Sequence, residues 1–185
     1  MCGSGSWRSA ATRHNPGMPT FPKDASPHTQ AANAPRDLGM DPTDFERASR
    51  GLVAQHATGV IEGAWGTAWD INKYDFIEQG SENPDTVNPS LWRQAQLNNI
   101  HGLFEVAPKV WQARGYDISN ITFIEGDTGW VVIDPLTVEG CARDCLALAN
   151  EQLGERPVTG VIYTHSHTDH FGGVLGVTTQ EDVDA

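Results

Sequence analysis

Apolar positions are sparse and aperiodic over the first 40 residues, where Pro16, Pro19, Pro22, Pro27 and Pro35 alternate with Ser, Thr, Asn and Ala. Such a stretch buries too little surface to offset its chain entropy, so residues 1–40 are expected to be a disordered Pro-rich tail. Order is expected from Asp41-Pro42, a capping residue followed by a first-turn proline. Phe45, Leu52 and Val53 then suggest one buried stripe on a helix running to about residue 56. Short extended pieces are expected at 59–61 and 69–71, followed by a Gly/Asn/Pro-rich loop over 80–88. Asn88-Pro89 repeats the cap-then-proline signal and opens a second helix reaching about residue 99.

The period then shortens. Segments 103–107, 110–114 and 120–124 are rich in β-branched and aromatic residues and predict strands. A Gly126-Asp127-Thr128-Gly129 turn leads into an apolar strand at 130–133 that ends at Asp134-Pro135. These hairpin-length connections predict an antiparallel meander. A helix over 138–153, closed by Gly154, precedes a buried strand at 158–163. Strand, helix and apolar strand in that order make a βαβ unit, so the fold class is α/β with parallel pairing in a layered domain over 41–185. A chain of 185 residues holds one such domain or half of a larger one.

Composition narrows the partners. The formal charge is −12, and residues 41–185 hold 8 basic against 22 acidic side chains. Such a surface repels phosphate backbones, which disfavours nucleic acid. No apolar run reaches the roughly 18 to 20 residues that span a bilayer, so no membrane partner is expected. The start has basic residues but no apolar core of roughly 7–15 residues, so no secretory signal is read and a cytoplasmic location is expected. Cys2, Cys141 and Cys145 are too few for a disulfide framework. The last two, four apart on a helix, read as small buried side chains.

Only one segment is chemically loud. Thr164-His165-Ser166-His167-Thr168-Asp169-His170-Phe171-Gly172-Gly173 places three imidazoles and a carboxylate within six positions, directly after the apolar strand. On extended backbone His165 and His167 project to the same side, while Asp169 and His170 follow as the chain turns. Imidazole nitrogens with a carboxylate suit zinc, and also iron or manganese. Sites in open α/β folds gather at the carboxyl ends of strands, where this cluster lies. A polar loop with incidental histidines accounts for one imidazole, not for three with a carboxylate before Gly-Gly. His14, His28, His56 and His101 read as solvent or packing residues. Asp134, read alone, is a strand end.

The H-x-H-x-D-H loop resembles the signature of the metallo-β-lactamase superfamily, and Asp134 matches the Asp that braces the metal loop there. Asn88-Pro-Ser-Leu-Trp-Arg-Gln94, the run from Arg114-Gly-Tyr-Asp-Ile-Ser-Asn to Gly129-Trp130, Val131-Val-Ile-Asp-Pro-Leu-Thr137 and Tyr163 to Gly173 are similar to the alkyl sulfatases over about residues 50–177. The resemblance implies the N-terminal half of an αββα sandwich and hydrolysis of long-chain alkyl sulfate esters, such as dodecyl sulfate, by a metal-bound hydroxide. It carries His165 and His167 to one zinc, Asp169 and His170 to a second, a further catalytic role to Asp169, and a supporting role to Asp134. The family's remaining ligands and its dimerisation region lie downstream of this loop, so a domain truncated after its first metal-binding motif is expected. Another hydrolase of the same superfamily, such as a thioesterase or lactamase, and an inactive truncated fragment are the competing readings.

Overall fold

In the computed structural model, residues 24–34, 41 and 43–184 are described. Most of the expected tail lies outside them. Within it, Pro27–Ala32 forms a short helix (α1), because Ser26 accepts a hydrogen bond from the Thr29 amide and Pro27 supplies a preset first turn. Gln30 and Asn33 of this segment reach Asp85.

The first long helix expected from the sequence is instead a helix followed by a strand. Asp41 accepts from the Thr43 amide and hydroxyl, and α2 runs only over Asp44–Ser49. Gly51 then turns the chain at a φ of +76°, where a Cβ would meet the Glu105 carbonyl at 2.1 Å. Leu52–Ala54 becomes β1 at one sheet edge, with Leu52 and Val53 exposed. Their apolar spacing, read as a helical stripe, therefore belongs to an edge strand. His56, expected on that helix, lies in the following loop and packs edge-on against Tyr116.

Val60–Gly63 (β2) and Gly66–Asp70 (β3) form a separate antiparallel hairpin, and Pro89–Asn98 is α3, capped by Asn88. Gly102–Ala107 (β4), Val110–Arg114 (β5), Ile121–Glu125 (β6) and Trp130–Ile133 (β7) form the predicted meander. Helix α4, Glu139–Leu153, crosses over to Val158–Ile162 (β8), which pairs with β7 in parallel. The six-stranded order is β1-β4-β5-β6-β7-β8. The chain ends its described part in α5, Gln180–Asp184. Among the described residues no helix is long and apolar enough to cross a membrane.

One face of the sheet carries the core. Trp111, Phe123 and Val132 lie opposite one another in register and meet Cys141, Cys145 and Leu148 from α4. Trp130 is fully buried between Trp111 and Phe123, and its indole N–H donates to Asn150 of α4 at 2.8 Å. Burying an aromatic ring in edge-to-face contact, with its one polar atom satisfied, fixes how α4 lies on the sheet. On the other face Phe104, Gln112, Thr122, Ile133 and Ile162 follow one another from β4 to β8.

Two devices tie the loops at the carboxyl ends of β5, β7 and β8 into one body. Asp117, in the β5–β6 loop, accepts from the Thr137 amide, the Thr137 hydroxyl and the Val138 amide, so it ties down the first residues before α4. Gly173 donates its N–H to the Leu136 carbonyl at 2.9 Å. A Cβ on Gly173 would lie 2.3 Å from the Pro135 carbonyl oxygen and 2.8 Å from that of Val138, so only glycine allows this approach.

Gly173→Ala is therefore expected to lower unfolding stability by about 1–3 kcal/mol through backbone displacement, read as the midpoint of urea unfolding. A second expectation concerns the thiols. Burial, reinforced by Asp117 and Asp144, pushes Cys141 up to about 12, and burial raises Cys145 well above its ordinary range. Both are then neutral thiols at pH 8 and poor nucleophiles. A Cys2→Ser variant should show almost no reaction with a disulfide reagent at pH 8 when folded, and two equivalents in denaturant.

Candidate active site

Strand β7 ends in unusual backbone. Asp134 and Leu136 have φ of +54° and +64°, on either side of Pro135. Left-handed conformations are tolerated by Asp and disfavoured for Leu, so the surroundings must hold them. Three hydrogen bonds do so: Asp134 N–H to the Ile162 carbonyl, Leu136 N–H to the Asp134 carbonyl, and Gly173 N–H to the Leu136 carbonyl. Leu136 is 1% exposed, so its side chain is anchored in the core. The turn directs the Asp134 carboxylate across the end of β8.

There the carboxylate receives three donors. Oδ1 accepts from the Thr164 amide at 2.8 Å, and Oδ2 accepts from the Thr164 hydroxyl at 2.7 Å and from His170 Nδ1 at 2.9 Å. Burial alone would raise this carboxyl, but the hydrogen bonds from Thr164 and His170 outweigh it and hold it below the usual range. Asp134 is thus an anion that fixes the first residue of the loop and the last histidine together.

The bonding pattern also assigns ring protons. His170 gives Nδ1–H to Asp134, which leaves Nε2 with a lone pair. The Thr164 hydroxyl spends its proton on Asp134, so at its 3.0 Å contact with His165 Nδ1 the imidazole donates. His165 likewise keeps Nε2 as the nitrogen with a free lone pair. Second contacts that select which ring nitrogen is free are the usual companions of metal-binding histidines.

His165 and His167 are exposed, and Asp169 and His170 are half-buried. The His165 ring centroid lies 4.7 Å from that of His167 and 4.0 Å from that of His170. His170 Nε2 faces Asp169 Oδ2 at 3.2 Å. With Nδ1–H committed to Asp134, these two atoms are both acceptors unless the ring is protonated, so a proton or a cation is needed between them. The donor set thus fits a divalent ion in its chemistry. Its aim is not yet convergent: among the described residues no group of three or more His, Cys, Asp or Glu side chains is placed to hold a metal ion.

All four residues singled out in the sequence, with Asp134, therefore occupy one place. Two others were missed. Ser119 donates its hydroxyl to the Asp169 carbonyl, and Asp117, two residues earlier, holds the Thr137–Val138 backbone. Both lie in the β5–β6 loop. The available signal was a run of polar residues, Asp117 to Asn120, wedged between two apolar strands. Nothing in that run states which backbone its side chains reach.

The metallo-beta-lactamase superfamily pattern matches residues 114–185. A linear primary-alkylsulfatase of Pseudomonas sp. is 45% identical over 168 residues, covering 87% of this chain and 25% of the relative. An (R)-specific secondary-alkylsulfatase of Pseudomonas sp. is 48% identical over 167 residues, with coverage of 88% and 25%. An alkyl/aryl-sulfatase of Saccharomyces cerevisiae is 44% identical over 179 residues, with coverage of 94% and 27%. The solved structure of a stereoselective inverting sec-alkylsulfatase from Pseudomonas sp. superposes with a TM-score of 0.80 at 48% identity, covering 88% of this chain and 26% of that one. The chain spans about a quarter of the length of the curated relatives it matches. Its loop, its strand order and these likenesses agree: the chain is a homologue of the alkylsulfatases over most of its length, and its residues 114–185 carry the metallo-β-lactamase superfamily pattern.

Proposed function

We propose that this chain carries the first metal-binding loop of a zinc-dependent hydrolase that cleaves long-chain alkyl sulfate esters, of the dodecyl sulfate type, to alcohol and sulfate. The observation that carries it is the gathering of three imidazoles and Asp169 at the end of β8, with His170 Nε2 facing Asp169 Oδ2 across 3.2 Å. The relatives, named as alkylsulfatases, support the ester class.

His165 and His167 would hold one zinc, and Asp169 and His170 a second. When bound, zinc supplies Lewis acidity and makes water acidic near neutral pH. The remaining work belongs to the chain. Asp134 keeps the His170 Nδ1 proton in place and so keeps Nε2 available. Thr164 does the same for His165. Ser119 restrains the Asp169 backbone, and the Gly172-Gly173 return lets the loop close against Pro135 and Thr137. The exposed rings of His165 and His167 leave one side of the cluster open to an incoming ester.

Zinc uptake measured by elemental analysis tests the assignment. His165→Ala with His167→Ala is expected to abolish it, and unchanged stoichiometry would overturn the ligand set. Asp134→Asn, which keeps an acceptor for Thr164 but loses the charge facing His170, is expected to weaken zinc binding by about 10- to 100-fold. For the ester class, sulfate release from dodecyl sulfate with added zinc is compared with thioester and lactam cleavage. Preference for either of the latter points to a different hydrolase of the same superfamily.

A further inference from the structure

Asp134 fixes Thr164 and His170, but Asp169 takes its support from another part of the chain. Its carbonyl accepts the Ser119 hydroxyl from the β5–β6 loop, 50 residues earlier in sequence. Two residues before Ser119, Asp117 is 7% exposed and its carboxylate is heavily engaged. Oδ1 accepts from the Ile118 amide at 2.6 Å and the Thr137 hydroxyl at 2.8 Å. Oδ2 accepts from the Thr137 amide at 3.0 Å and the Val138 amide at 3.2 Å. These donors hold the buried carboxylate firmly, because releasing it would strand the amides as well as the charge.

The bonds reach the metal-binding segment from two directions. Ser119 acts at Asp169. Thr137 and Val138, held by Asp117, present the carbonyls on which the glycines of the loop close. A Cβ on Gly172 would stand 2.5 Å from the Thr137 carbonyl oxygen, and one on Gly173 would stand 2.8 Å from that of Val138. Residues 169–173 are therefore gripped at both ends by supports that share Asp117. Within that span Asp169 Oδ2 faces His170 Nε2 at 3.2 Å. His170 is already fixed by Asp134, so the remaining freedom in that distance is the aim of Asp169.

We propose that Asp117 and Ser119 are positioning residues for the Asp169–His170 pair, with Asp117 anchoring the β5–β6 loop and Ser119 passing that anchor to the Asp169 backbone. Naming zinc as the ion rests on the hydrolase reading above; the aim of Asp169 at His170 does not. The effect is confined to one half of the cluster. His165 and His167 are exposed and precede the span that the loop grips, and His165 takes its own orientation from Thr164. Loosening the β5–β6 loop thus separates Asp169 from His170 while leaving the other two rings as they were.

Two measurements test this: the histidine ring nitrogens of the metal-free chain, followed by heteronuclear NMR in chelator, and zinc affinity by competition with a chromogenic chelator. Ser119→Ala is expected to move the His170 Nε2 resonance, to leave those of His165 and His167 in place, and to weaken zinc binding by about tenfold or more. Ser119→Thr keeps the hydroxyl and should retain the parental resonance and affinity. Asp117→Asn, which sets an amide group against the donors of Thr137 and Val138, should reproduce both changes of Ser119→Ala. A role in folding alone would lower the midpoint of urea unfolding without singling out one ring. Unchanged His170 resonance and zinc affinity in Ser119→Ala overturn the proposal. Equal shifts of the three rings also overturn it, as does a Ser119→Thr chain that folds like the parent yet behaves like Ser119→Ala. Should the parent take up no zinc, the hydrolase reading falls, while the His170 resonance still decides the role of Ser119.

Discussion

The Asp134 carboxylate joins three parts of the chain that sequence separates by 30 and 36 residues: the end of β7, Thr164 after β8, and His170. Each bond has a distinct consequence. The two to Thr164 set where the loop begins, the one to His170 sets where its last histidine points, and the buried negative charge selects the Nδ1-protonated ring. Hydrogen bonds to a charged acceptor are worth more than neutral ones, so a single side chain can govern a loop whose other members are exposed. Replacing the carboxylate by an apolar group would leave the Thr164 amide and hydroxyl without their acceptor as well as freeing the ring.

That carboxylate reaches its partners only because the backbone around Pro135 is bent into two left-handed residues. The strain is sustained from outside by the β8 carbonyl of Ile162 and by the Gly173 amide, while the fully buried Leu136 keeps the turn from relaxing outward. Gly173 and Gly176 extend the same logic to α4: a Cβ on Gly176 would stand 2.2 Å from the Glu139 carbonyl. The Gly-Gly that follows the histidines is thus a packing requirement, set by how closely the loop must return to the strand it left.

The meander was legible in the sequence because its side chains alternate against a single core, as Trp130 to Ile133 show, with Trp130 and Val132 buried. Val158 to Ile162 was legible as a strand from its apolar residues after Pro157, but the burial expected of it is not found: none of its residues is fully buried, and Ile162 and Tyr163 are exposed. The helix expected through residue 56 failed for a related reason. Leu52 and Val53 are apolar yet exposed, so they carry no periodic signal of which face is buried, and Gly51 and tertiary pairing with β4 decided the outcome. At the site, residue types at fixed spacing disclosed His165, His167, Asp169 and His170, whereas Asp117 and Ser119 act through side chain to backbone bonds across 20 and 50 residues. Bonds of that kind leave no periodic trace, since any donor or acceptor of the right length would satisfy them.

Charge raises a physical difficulty that the site geometry answers locally. A chain with 24 acidic and 12 basic residues repels an anionic ester at long range. Screening limits that repulsion to about 8–10 Å at ordinary ionic strength, so what matters is the sign of the groups within that distance of any anion at the surface. Asp134 and Asp117 are both negative but are saturated by donors, which directs their field into Thr164, His170 and the start of α4. Among the described residues Arg114 has no such carboxylate to saturate it. Its charge is spread over a plane that rests on Phe104 and gives its Nε–H to Gln112. An acidic surface can therefore tolerate an anion where the nearby carboxylates are spent on the protein's own backbone and a guanidinium without a carboxylate partner stands beside them.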